Sequence, residues 1–439
     1  MAKNKREEFQ NAEQKKLKPE KEVSKNIKNR IVAAYNYISE NYEFRYNTVT
    51  LDVEYRKKGG EEFLFFDDRA YRDIDLEIAL AGFHISERYL KDWVYGSKLC
   101  YEFDPFREYI NRIAPWDGKT DHFKHFLEQV YLKDEDQREF FIECFTKWFV
   151  AYVGGLVDDF TTNQTCFTLV SKQGRFKTTF LNLLVPKELR LDYLYSSTFI
   201  AHNKDHEKYL ATKMLINLDE MQAFNRSDIE SIKSKITQDR VVLRLPYAKA
   251  DIKAFRRASF VGSVNRVEFL NDATGTRRFL PFEIDNIALD WDYDISRLYA
   301  QAIALFKNKY KFYFDPADIE KLEVHNDPHK DRTMEEEFIQ MYFVPATPEE
   351  LKQKSTKISY LTPNEIADRF GKKYEKANIN NTVKRNLGVA LQGNGFQKVS
   401  VRLNDKPRKV WAVKEVVSPD KYDLEGMPLN SAMDPSLPI

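Results

Sequence analysis

Apolar residues recur at helical spacing from Ile31 to about Tyr46, and the pattern then changes to alternation through Val49, Leu51, Val53 and Tyr55. A helix followed by a strand is the predicted start. Lys57 to Glu61 reads as a turn, Phe63 to Phe66 as the second strand of a hairpin, and Asp73 to Ala81 and Ser86 to Val94 as helices, which makes this block small and mixed α+β. A long amphipathic pattern from Asp134 to Val153 predicts a helix leading into a region where short apolar runs alternate with helical ones. Those runs are Cys166–Val170, Lys213–Leu218, Arg257–Val264 and Leu280–Ile284, the signature of a parallel α/β sheet. Ile287 to Lys309 reads as helical, and a charged stretch then ends at Pro345 and Pro348.

The last periodic stretch has its own element order. Thr362-Pro363 opens a helix to Phe370, which Gly371 stops; Asn380 to Leu391 is a second helix, stopped by Gly393 and Gly395. Phe396–Leu403 and Arg408–Val413 then alternate as strands around Asn404-Asp405-Lys406-Pro407. Helix, helix, strand, strand, with Lys384 and Arg385 on the second helix and Lys398, Arg402, Lys406, Arg408 and Lys409 on the hairpin, is the pattern of a winged helix that binds DNA.

The predicted division is therefore a basic flexible arm over 1–30, an N-terminal α+β region over 31–133, and an α/β core over 134–310. A helical region and hinge over 311–357, a winged-helix-like domain over 358–416 and a disordered tail over 417–439 complete it. A chain of 439 residues exceeds what one hydrophobic core serves. Hydrophobic residues at 42% and aromatics at 14% exclude a largely disordered chain. No run approaches the roughly 18 apolar residues of a membrane helix, and no apolar signal segment opens the chain, so a cytoplasmic protein with no membrane partner is expected. Cys100, Cys144 and Cys166 are widely spaced, without a disulfide framework or paired ligand spacing. A net charge of +1 gives no global reason to expect nucleic acid, whereas the Lys-rich first thirty residues read as a solvated arm or a phosphate-contacting one.

Chemistry enters between the first two core strands. Ser171-Lys-Gln-Gly174-Arg-Phe-Lys177-Thr178-Thr179 lies between the strand Cys166–Val170 and a helix pattern from Thr178 to Leu184. A strand, a tight loop and a helix start turn successive N–H groups onto one phosphate-sized spot. Gln173, Gly174, Arg175, Phe176, Lys177, Thr178 and Thr179 are the expected ATP contacts, with Lys177 on the β- and γ-phosphates and the Thr178 hydroxyl on Mg2+. The Walker pattern wants glycine where this chain has Ser171 and Phe176, and glycine there permits close backbone approach.

Asp219-Glu220 ends the next core strand, where Asp219 would hold Mg2+ and Glu220 orient water. Asn265 ends the third strand, an amide suited to γ-phosphate and water. Arg277 and Arg278, in Thr274-Gly-Thr-Arg-Arg-Phe279, suit a phosphate in a neighbouring subunit or, alternatively, pairing with Asp272 or Glu283. His202 and His206, and His325 and His329, are four apart, but neither pair carries the Glu of a zinc protease, so solvated loop histidines are expected.

These residues together resemble the virulence-associated E family, ATPases of mobile elements and phages related to superfamily 3 helicases and poxvirus-type primase-helicases. The resemblance runs from Asp104-Pro105-Phe106 and Trp116-Asp117-Gly118 through Phe282, and the C-terminal unit resembles the extra domain of Bacteroidetes-type relatives. It implies an AAA+-like P-loop ATPase core, a hexamer as homo-oligomer, that couples ATP hydrolysis to movement on DNA during replication. It also implies a hairpin projecting into the ring pore, which Val241 to Lys253 fits; Arg244, Tyr247, Lys249 and Lys253 would meet single-stranded DNA there, while Lys384 and Arg385 would meet duplex. Two readings compete with the motor: a weakly or non-hydrolysing DNA-binding replication regulator, motivated by Ser171 and Phe176, and a nucleotide-switched defence ATPase with a protein partner.

Overall fold

A computed structural model describes residues 27–83, 85–96, 99–197, 199, 203–219, 221, 224, 226–243, 251–267, 276–329, 332–352, 357–374, 378–403 and 406–416. The chain forms two compact units. The first comprises Met1–Met221, Ser231–Asn265 and Leu280–Asp315; the second comprises Gln222–Glu230, Arg266–Phe279 and Pro316–Ile439. Both helices and several sheets contribute, so the fold is mixed α/β.

The first unit opens with a helix over residues 27–41 that ends earlier than its periodicity suggested, because Tyr42–Asn47 is a strand. Tyr42 and Phe44 satisfy helical and alternating spacing alike, and pairing decides between them: the segment runs antiparallel to Asp52–Lys57 and parallel to Cys100–Phe103. The predicted strand from Thr48 is likewise corrected. Thr48–Leu51 is a turn, with Leu51 at φ 64°, and the strand begins at Asp52. The four-stranded sheet packs Phe44 and Val53 against Ile38, Ile74, Ile78, Leu90 and Val94 of three helices. The second of these helices starts at Asp68, capped by Asp67, five residues before its expected start.

A six-stranded sheet follows, in the order Val130–Leu132, Phe279–Ile287, Cys166–Val170, Ser259–Val264, Leu215–Leu218, Leu194–Ser196. Ser259–Val264 lies parallel to strands on both sides, with Val264 opposite Val170 and Gly262 opposite Leu218. Leu194–Ser196 is also parallel to its neighbour, while Val130–Leu132 is antiparallel to Phe279–Ile287. Every residue of Cys166–Val170, Leu215–Leu218 and Ser259–Val264 is buried, which explains why they read as continuous apolar runs.

Arg138–Val157 packs Phe141, Phe145 and Trp148 onto Phe167, and the Trp148 indole N–H donates to the Phe260 carbonyl at 3.1 Å. Residues Glu135–Val157 have the length and mean hydropathy, 1.4, of a membrane span, contrary to the expectation that no run approaches one. Within the fold, 72% of that apolar window is buried, as in a core helix. Gly154 lets the helix Ser296–Lys307 approach: a Cβ there would stand 2.6 Å from the Phe306 ring. That helix starts at Ser296 rather than near Ile287, because the preceding strand continues through Ile287.

In the second unit, Lys406–Glu415 pairs antiparallel with Phe343–Pro345, Ser359–Leu361 and Gln397–Leu403. Helices Met334–Tyr342, Pro363–Lys373 and Asn381–Gly393 cover the sheet through Phe338, Phe370, Leu387, Leu391, Phe396 and Trp411. Thr362 and Glu365 form a reciprocal capping box at the expected helix start. Gly371 is not a stop, since its helix runs on to Lys373, whereas Gly393 is the last residue of the second helix. Gly371 sits 3.1 Å, at its would-be Cβ, from Ile379, and the second helix is capped by Asn394 with Gly395 at φ +79°.

Candidate functional site

Three neighbouring parallel strands end side by side, at Val170, Val264 and Leu218, and each next residue carries polar chemistry: Ser171, Asn265 and Asp219. Parallel pairing alone creates this arrangement, since it turns all the carboxyl ends to one edge. The Ser171 amide donates to the Val264 carbonyl at 3.1 Å, so the loop leaves the sheet already tied to the asparagine strand.

The loop reaches the helix Lys177–Leu183 through two left-handed residues, Gly174 at φ +82° and Phe176 at φ 58°, ψ 17°. A bulky residue there is strained by about 1–2 kcal/mol. Phe176 thus adopts a backbone state that glycine takes without strain, and it is 53% exposed. Lys172, Gln173, Gly174 and Arg175 are exposed, Thr178 and Thr179 half-buried.

Lys177 is buried, and its Nζ donates to the Ser171 carbonyl at 2.7 Å, Ser171 Oγ at 3.0 Å, the Lys172 carbonyl at 3.0 Å and Asn265 Oδ1 at 3.1 Å. Burial lowers its pKa from the ordinary lysine value, with the Asp219 charge opposing the shift. The Thr178 hydroxyl donates to Asp219 Oδ1 at 2.9 Å, and the buried Ser263 hydroxyl donates to the same oxygen. Lys177, Thr178, Asp219 and Asn265, all expected from sequence, are brought together; Ser263 was missed. Its signal was present, a hydroxyl two places before Asn265 in an otherwise apolar and small run, Phe-Val-Gly-Ser-Val.

Two further residues hold the acidic end. Asn217, fully buried, donates to Asn182 Oδ1 at 2.8 Å and to the Thr178 carbonyl at 3.4 Å, bracing the helix against the acidic strand. Gly262 faces Met221, whose sulfur would lie 2.3 Å from a Cβ. The hydroxyls of Thr178 and Ser263 and the Asp219 carboxylate are hard oxygen donors, a set that fits Mg2+. Among the described residues no group of three His, Cys, Asp or Glu side chains is placed to hold a metal.

In the second unit Thr276–Arg278 is a single 3-10 turn. Asn326, fully buried, clamps it by donating to the Thr276 carbonyl at 2.9 Å and the Phe279 carbonyl at 3.0 Å. Arg277 is exposed; Arg278 is half-buried, and its Nε has no hydrogen-bond partner among the described residues. Lys384 bonds Asn364 Oδ1 at 2.9 Å on the face where Arg385 is exposed. In the first unit, Lys253 is exposed on Ile252–Phe255, which pairs with Arg240–Leu243 as the base of the expected hairpin. Glu220, Arg244, Tyr247, Lys249, Thr274 and Gly275 lie outside the described residues, as do His202, the first twenty-six residues and the tail from 417.

His206 and His329 differ from the solvated loop groups expected. His206 stacks on Phe199 and Tyr209 and shares a 3.2 Å hydrogen bond with the Tyr195 hydroxyl, and His329 is buried. The aromatic surroundings of His206 were invisible in the spacing.

Residues 110–331 match the family described as the virulence-associated protein E-like domain. No curated protein matches the chain. Among solved structures, the apo C-terminal region of NrS-1 (305–718) aligns at a TM-score of 0.46 and 11% identity, over 88% of this chain and 99% of that one. The A form of the same region gives 0.46 and 13%, over 87% and 98%.

Proposed function

The chain belongs to the virulence-associated protein E-like family, and from that premise we propose that it is a Mg2+-dependent P-loop ATPase acting on DNA as a superfamily 3-type helicase in the replication of a mobile element or phage. One observation carries the reading: Lys177, Thr178, Asp219 and Asn265 meet at the carboxyl edge of adjacent parallel strands and are joined by hydrogen bonds. A lysine, a hydroxyl, a carboxylate and an amide in that order are the groups phosphoryl transfer needs, since its catalysis is mostly positioning and charge stabilisation.

In this reading Lys177 binds the β- and γ-phosphates of ATP, and the loop N–H groups between Gln173 and Thr179 line the phosphate chain. Thr178 and Asp219 hold Mg2+, with Ser263 fixing the carboxylate. Bound there, the metal neutralises charge on the phosphate oxygens. Glu220, next after Asp219, orients water; Asn265 senses the γ-phosphate; Arg277 or Arg278 acts across a subunit interface of a homo-oligomeric, hexameric ring. The Asn326 clamp supports that last assignment, because it fixes the turn presenting both arginines.

DNA contacts are assigned to two places. Arg244, Tyr247, Lys249 and Lys253 belong to the hairpin that meets single-stranded DNA in the pore, and Lys384 and Arg385 to a winged-helix-like domain that meets duplex. Exposed Arg385, Lys398, Arg408 and Lys409 support the second assignment. Such a protein works in the cytoplasm.

DNA-stimulated ATP hydrolysis by the full chain, compared with Lys177→Ala, tests the proposal. Wild-type hydrolysis that requires Mg2+ and falls at least about a hundredfold in the variant is expected. Equal, background-level hydrolysis by both proteins refutes it. Mass photometry with ATP and DNA tests the ring: a single large assembly is expected, and a monomer under all conditions overturns it.

A further inference from the structure

Ser171 stands where the phosphate-loop pattern calls for glycine, and its side chain has a defined task. An ammonium has three protons. Lys177 Nζ faces four oxygens, two of them, the carbonyl and Oγ, from Ser171. The Ser171 hydroxyl proton is directed to the Lys172 carbonyl at 3.1 Å, so its oxygen can meet Lys177 only as an acceptor. The Ser171 amide is fixed on Val264, one residue before the Asn265 amide that completes the set. A glycine would keep the carbonyl but lack the hydroxyl.

We propose that Ser171 is a positioning residue, whose hydroxyl seats the Lys177 ammonium between the loop and Asn265 and competes with a phosphate for it. The inference rests on the loop being a nucleotide site and says how this loop differs from one with glycine. The serine tunes the site: a ligand phosphate must draw Lys177 from an oxygen that glycine-bearing loops do not offer.

Two readouts on the full chain test this, using Ser171→Ala, which removes only the hydroxyl, and Ser171→Thr, which restores it. The first is the acetylation rate of Lys177 by N-hydroxysuccinimidyl acetate without added nucleotide, read by peptide mass spectrometry against exposed Lys172. Ser171→Ala should react about three to ten times faster than wild type, and Ser171→Thr at the wild-type rate. The second is titration with a fluorescent N-methylanthraniloyl ADP and Mg2+. Ser171→Ala should bind about three to ten times more tightly, with Ser171→Thr again matching wild type. Equal Lys177 reactivity in wild type and Ser171→Ala overturns the seat. Faster reaction with unchanged ADP affinity overturns the competition. Absence of ADP binding in all three proteins overturns the nucleotide reading itself, while acetylation still judges the seat. Circular dichroism melts confirm that each variant is folded.

Discussion

Replacing Gly262 by alanine should damage the acidic end of the site through Met221. The added methyl would sit 2.3 Å from the Met221 sulfur, on the order of 1.5 Å inside the roughly 3.5–4.0 Å optimum for such contacts. Met221 is fully buried, and Gly262 lies in a strand buried along its whole length, so neither has room to yield freely. Overpacking of this kind costs about 1–3 kcal/mol. Met221→Ala alone leaves a cavity and costs about 2–5 kcal/mol. In the double variant the new methyl enters the space the thioether leaves, so the two effects should not add. The expected coupling is about 1–3 kcal/mol, measured by urea unfolding in a double-mutant cycle. Since Met221 follows Asp219 by two residues, Mg2+-dependent nucleotide affinity should fall with Gly262→Ala and partly return in the double variant. Additive stabilities within about 0.5 kcal/mol would refute the steric argument.

Other outcomes follow from single contacts. Ser263→Ala removes a donor to Asp219 Oδ1; Mg2+-dependent nucleotide binding should weaken about three- to tenfold in fluorescence titration, with Mg2+-independent binding unchanged. Asn326→Ala removes a donor to the Thr276 and Phe279 carbonyls; urea unfolding should show a loss of about 1–3 kcal/mol. Glu350 accepts from Lys414 and from the Thr347 amide, and these bonds hold its carboxyl at about 2 rather than 4.5. A depressed folded value contributes stability above the unfolded one that is lost as pH falls. The difference in urea midpoint between wild type and Glu350→Gln should therefore shrink from about pH 4.5 to 2, and a constant difference would count against the contact.

Much of the central sheet could be read in advance because buried parallel strands are apolar throughout, and residues such as Asp219 and Asn265 stand out at their ends. The loop strand Cys166–Val170 was placed to the residue. Where spacing is ambiguous, as at Tyr42 and Phe44, only the partner strand decides, and sequence order does not name it. The helix end expected at Gly371 falls instead at Lys373, for a different reason. Glycine reports either a left-handed turn or a close neighbour, and Gly371 has the neighbour. Asn326 clamps a turn about fifty residues earlier in the chain, and Ser263 acts on Asp219 across the sheet; long-range contacts of this kind leave no local pattern.

The strand carrying Asn265 lies between two strands that precede it in the chain. During synthesis the loop strand and the acidic strand emerge first, yet the neighbour they share does not exist until residues 259–264 follow. They must wait apart, and wrong pairing of the two would have to be undone before the insertion. Long-range parallel pairing is slow to form, and unpaired apolar strand edges invite aggregation. A fragment ending before Ser259 should therefore be insoluble or bound by chaperones, even though it holds Ser171 to Thr179 entire.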